Sequence, residues 1–247
     1  MGTRLTLTSF AIVGLFAALY SAGADVGSGT NASIARGVEG RYEHRDRGTG
    51  KILGTEAFRL TVHSDGSRCI QIWSNGASRG SQITSNVCVD GQFRPTEAYA
   101  RYWSAGAFRG SGWIRVDRST LRLVSANAQG EVTESETEVP EHFSIGTHPI
   151  SADAWHVAAI QSADTKQAVA YTFNPSGSGT QPLTGALVPI SVERLADEQV
   201  MVPAGTFSAR QFRLSGQMNY WVAGADWIVV KSAAGSTERI LVEYREF

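Results

Sequence analysis

From Gly40 onward the chain repeats one local device: a short run of alternating apolar and polar residues, stopped by Gly, Asp, Asn or Ser. Glu56-Ala57-Phe58-Arg59-Leu60-Thr61-Val62-His63 is such a run, and Ser64-Asp65-Gly66-Ser67 ends it with a D-G turn signal. Period-two alternation places every second side chain on one face of an extended strand and is incompatible with an amphipathic helix. Similar runs fall near 41–46, 68–74, 81–89, 97–103, 108–117, 120–126 and 130–137. A second series covers 167–173, 187–195, 198–202, 207–214, 218–223, 226–231 and 238–245. Strands this short, with turns this frequent, predict an all-β fold: an antiparallel curved sheet, barrel-like or sandwich, lipocalin-like in character.

One stretch departs from the cadence. In Ser151-Ala152-Asp153-Ala154-Trp155-His156-Val157-Ala158-Ala159-Ile160-Gln161, Trp155, Ala158 and Ala159 share a helical face and Ser151 can cap the first turn. This predicts one short central helix. The chain then divides into a first β-rich half at 38–140, a connector with the helix at 141–161, and a second β-rich half at 162–247, expected to form one compact unit. Within the second half, Asn219–Val230 reads as a hairpin turning at Gly224-Ala225. That turn would pair Val222 with Trp227, Tyr220 with Val229 and Trp221 with Ile228. Both of its faces are apolar, so it should be covered on both sides.

The N-terminus carries a different signal. Arg4 precedes an uncharged stretch that ends in Ala22-Gly23-Ala24, the order expected of a secretory signal peptide over residues 1–24. The strongly apolar part, Phe10 to Tyr20, is too short for a spanning helix, which needs about 20 residues. Cleavage would leave no stable membrane span, and residues 25–37 would follow as a flexible lead of small polar residues. Without Arg4 the formal charge is −2, which gives no electrostatic case for nucleic acid. The expected compartment is periplasmic or secreted. There, a disulfide is the default for the two cysteines, Cys69 and Cys88, and a hairpin centred near Ser78 sets them opposite one another within a residue.

Candidate chemistry is sparse. Gly76-Ala77-Ser78-Arg79-Gly80 matches G-x-S-x-G but lies between two strand runs, without the following helix that a nucleophile elbow requires. Neither nucleotide-binding glycine motifs nor a defensible metal signature is present, so no cofactor or metal is expected. The connector gathers His142, His148, Asp153 and His156, groups able to share proton transfer. They could equally tie the connector to the sheet and cap its helix. A second set, Tyr99, Arg101, Trp103, Trp113 and Arg115, interleaves arginines with aromatics. Facing inward, with Tyr220, Trp221 and Trp227, these residues could hold an apolar ligand by its polar end. Facing outward, they would be surface strand residues whose arginine stems lie over rings.

The segment Val202-Pro203-Ala204-Gly205-Thr206-Phe207-Ser208-Ala209-Arg210-Gln211-Phe212 precedes Tyr220-Trp221-Val222 and Val229-Val230-Lys231. Together they resemble a bacterial exported family, the domain of unknown function 3108. The resemblance implies a periplasmic, antiparallel β-rich fold and brings no catalytic residues. Two functions follow as expectations. One is a binding or envelope-maintenance module for an apolar or amphipathic small molecule. The other is a hydrolase, hydratase or isomerase working through the connector cluster on a hydrophobic small molecule.

Overall fold

Alternation along the chain is realised as fifteen strands in a computed structural model that describes residues 32–77, 80–162, 167–175 and 177–247. The first eight are β1 Ile34–Asp46, β2 Ile52–His63, β3 Arg68–Gly76, β4 Ser81–Val89, β5 Pro95–Ser104, β6 Ala107–Asp117, β7 Thr120–Ala126 and β8 Val132–Glu138. After them come β9 Phe143–Gly146, a 3-10 turn at Ile150–Ala152 and the helix α1 Ala154–Ser162. The chain closes with β10 Gln167–Asn174, β11 Thr184–Val202, β12 Gly205–Leu214, β13 Met218–Ala223, β14 Ile228–Ala234 and β15 Thr237–Glu246. Residues Ser33–Phe247 form one compact unit. The signal-peptide expectation lies outside the described residues. The expected lead is shortened, because β1 begins at Ile34, where backbone pairing with β2 already holds the chain; pairing with β15 follows from Val38.

All fifteen strands belong to one sheet, ordered β8 through β1, then β15 down to β9. Two meanders run outward from a central seam where the first strand pairs antiparallel with the last. The outer edges, β8 and β9, are consecutive in the chain, and β9 joins β10 in parallel. A sheet this wide cannot stay flat, because strand twist accumulates. It curls until its two arms face one another. On β6, Gly112 lies so close to Phe173 of β10 that a Cβ there would sit 2.6 Å from the ring. The hydrogen-bond ladder stays open between β8 and β9, so the fold is a curved, barrel-like sheet and neither a closed barrel nor a sandwich of two sheets.

The connector fills the space that the sheet encloses. Every residue from Ala154 to Ile160 is buried, as are Phe143, Ser144, Ile145, Thr147, Ile150, Ser151 and Ala152. An all-round apolar helix of this kind is a core element and not a surface one. It starts at Ala154, three residues later than expected, because Ser151 bonds to Glu56 of β2 instead of capping it. Among the described residues no helix is long and apolar enough to cross a membrane.

Three further details refine the sequence reading. The runs at 187–195 and 198–202 form one strand, β11, with an irregularity between Arg194 and Asp197 in place of a turn. Cys69 is the register partner of Cys88 and is bonded to it, on the outer face of the β3–β4 hairpin. The hairpin near 224 turns over more residues than expected: Val222 pairs with Val229 and Tyr220 with Ser232. Trp227 falls in the turn with a left-handed φ of 56°. Its ring leaves the ladder to pack against Phe93 and Phe212, while Arg36 and Arg68 hold the neighbouring Asp226.

Candidate functional site

Inside the curl, the inner face of β2 carries Glu56 in line with Phe58, Leu60 and Val62. Its carboxylate accepts hydrogen bonds from the Ile150 and Ser151 backbone N–H groups, at 3.2 and 2.7 Å, and from the Ser151 hydroxyl. The buried carboxylate therefore supplies the acceptor that the connector's first turn lacks. Burial pushes its pKa up to about 7; the Ser151 bonds and the Ile150 N–H oppose the rise, and nearby Asp153 adds to it. The His44 imidazole lies 3.8 Å away across β1.

Asp153 is the second carboxyl group, and the Tyr220 hydroxyl donates to it at 2.9 Å. Burial raises its pKa, and the His156 and Tyr220 contacts work against that rise. His156 Nε2 lies 3.8 Å from Asp153, too far for a hydrogen bond, while its Nδ1 is 2.7 Å from the Ser144 hydroxyl. Burial lowers the pKa of this imidazole, with Asp153 opposing. Serine, histidine and aspartate thus occur in the order of a hydrolytic triad. Yet Ser144 is only 4 % exposed, and it borders none of the five best-formed clefts among the described residues. The arrangement braces β9 against α1.

His148 has a left-handed φ of 74°, and its Nε2 is 2.7 Å from the Phe173 carbonyl. With His44 and Arg239 it borders a small cleft of about 150 Å³ at the β1–β2 and β14–β15 turn end. Of the connector candidates, Asp153, His148 and His156 share one electrostatic neighbourhood. His142 stands apart, exposed at the opposite end. Glu56 was missed from the sequence, although its period-two alignment with Phe58 and Leu60 marks a carboxylate on the apolar face.

The aromatic–arginine set does not line an interior. Ala98, Ala100 and Tyr102 are the inward residues of β5, so Tyr99, Arg101 and Trp103 point outward, as do Trp113 and Arg115 on β6. Trp113 donates from Nε1 to Glu97 at 3.0 Å. Trp221 also faces out, bonded to Glu198 and overlain by Lys231, whereas Tyr220 points inward onto Asp153. The lumen expected to hold a ligand is occupied by the protein's own connector.

A larger cleft, of about 450 Å³, opens where α1 meets the β4–β5 turn. Phe93, Phe143, Ala158, Ala159 and Trp227 make its floor, and Arg94, Glu141, His142 and Gln161 stand at its rim. The floor is fixed by aromatic packing: Phe93 meets Trp155 and Trp227 edge-on, and Arg68 lies 4.5 Å over the Phe93 ring. Trp155 Nε1 donates to the Asp226 carbonyl at 3.1 Å, tying the helix to the same corner.

No family model matches this sequence, and no curated protein does. Among solved structures, the chain is similar to one described as a β-barrel-like protein of domain of unknown function DUF1849 from Brucella abortus, at 9 % identity and a TM-score of 0.47. That match covers 87 % of this chain and 99 % of the other.

Proposed function

We propose that this protein is an exported binding module that takes a small amphipathic molecule in the cleft beside α1, in a binding or envelope-maintenance role. The observation that carries the reading is the division of that cleft into an aromatic and aliphatic floor and a charged, amide-bearing rim. Ligand sites commonly combine a mostly apolar wall with a few placed polar groups. Export is supported by the signal-like N-terminus, by the Cys69–Cys88 bridge and by the C-terminal resemblance to an exported family. The test is titration with 1-anilinonaphthalene-8-sulfonate, an apolar ring system bearing one anionic group. Saturable binding is expected, and Gln92→Trp, at an exposed position on the cleft wall, should weaken it about tenfold. Unchanged affinity in that variant overturns the reading.

A second reading, hydrolysis, draws on the Ser144–His156–Asp153 chain. It requires that a fluorophosphonate label Ser144. On the binding reading, no label is incorporated in the folded protein.

A further inference from the structure

We propose that the outer face of β2–β5 is a second, independent binding site, built for a neutral oligosaccharide. The central group is Trp73 of β3, 49 % exposed although it sits in the middle of a four-strand region. Register explains the exposure: its cross-strand neighbours are Ala57 and Thr84, both too short to cover an indole. Along its own strand, the residues on the same face are Gln71 and Asn75. The ring therefore stands open, bordered by two side-chain amides.

One row further along the strands, Thr55, Asn75, Gln82 and Trp103 are aligned by the ladder. Trp103 is two strands from Trp73, about 10 Å in the hydrogen-bonding direction. Its ring is fixed from the side by Phe108 at 5.5 Å and by the Arg101 guanidinium at 5.0 Å. Between the two indoles lies a groove of about 390 Å³. Past Ala57 a further depression, of about 590 Å³, reaches toward Gly40 and Tyr244. Two indoles so spaced can hold different units of one sugar chain.

The chemistry of this face selects the ligand class. Aromatic faces pack against the C–H faces of pyranose rings, and amides and hydroxyls donate to and accept from sugar hydroxyls. Of the cations on this face, Arg41 is bonded to Glu243 at 2.6 Å and lies 3.5 Å from Glu43, Arg59 and Arg245 share Glu39, and Arg101 lies over the Trp103 and Phe108 rings, so each is already engaged within the protein. A lipid would leave the amide rim without partners. A peptide cannot add as a strand, because β2 to β5 are each paired on both sides.

The test is tryptophan fluorescence of the full chain titrated with cellohexaose, chitohexaose and maltohexaose, with hyaluronan hexasaccharide as the anionic arm. Saturable binding of at least one neutral chain is expected. Trp73→Ala should weaken it at least about tenfold, while Trp221→Phe, on β13, leaves it unchanged. Circular dichroism checks that both variants keep the fold. No saturable response to any neutral chain, a response to hyaluronan alone, or equal affinity in Trp73→Ala each overturns the proposal. Loss of dye binding in the Gln92→Trp variant has no bearing on this face, so the two sites fail separately.

Discussion

Glu56 shows how much one side chain can decide. In the folded protein its pKa is about 7, against 4.5 for a free glutamate. Between those values the folded state holds a proton that the unfolded state has released. The stability Glu56 contributes is therefore complete below pH 4.5 and is lost as pH rises toward 7. The full swing is on the order of 3 kcal/mol. His156, its pKa lowered by burial, acts in the opposite sense below its ordinary value of 6.5. The Glu56 share is isolated by comparison with Glu56→Gln, which keeps an acceptor for the Ser151 N–H. From pH 5 to 8 the melting temperature of the parent should fall relative to the variant by roughly 6 °C. Parallel curves would show that Glu56 does not titrate in this range. A second buried charge gives a larger effect. Asp226 is held by both Arg36 and Arg68. Asp226→Ala removes the ion-pair partner of Arg68, whose side chain is 12 % exposed, and leaves it only the Gly66 carbonyl and the Phe93 ring; urea unfolding should show a loss of about 3–5 kcal/mol.

Among the elements, the interior contacts between strands are the demanding ones. Gly112 lets β6 approach Phe173, and Gly112→Ala should cost about 1–3 kcal/mol through the displaced ring. A loss of less than 0.5 kcal/mol in urea unfolding would mean that the two arms are less tightly apposed than described. On the outer face, replacing Cys69 and Cys88 by alanine should cost about 3 kcal/mol by the same measurement. Strands and the central helix could be read from the sequence because alternation and apolar runs are local properties, and the disulfide because the hairpin register places Cys69 opposite Cys88. Three matters could not be read. The β1–β15 pairing joins segments at opposite ends of the chain, and no local pattern records it. The Trp227 turn depends on Arg36 and Arg68, which are distant in sequence. The filled interior hid behind a reasonable assumption that a curved sheet rich in aromatics encloses a ligand. Of the candidate site, Asp153, His148 and His156 were legible as a cluster. Glu56 was passed over, because a lone glutamate in an alternating strand usually faces water.

At the scale of the whole molecule, the seam between β1 and β15 joins the two arms, and the backbone of Gly37 and Phe247 is paired at its end. Loop-closure entropy must be met before that pairing contributes anything. A chain truncated after Ala234, lacking β15, should give no cooperative thermal transition by near-ultraviolet circular dichroism, although thirteen of the remaining strands keep their neighbours in sequence. A sharp transition in that variant would show that each arm folds alone. The same seam has a consequence for the order of events in time. Because the clasp needs β15, every strand from Ile34 to Ala234 can already be made and the seam still cannot lock until Thr237–Glu246 has been added.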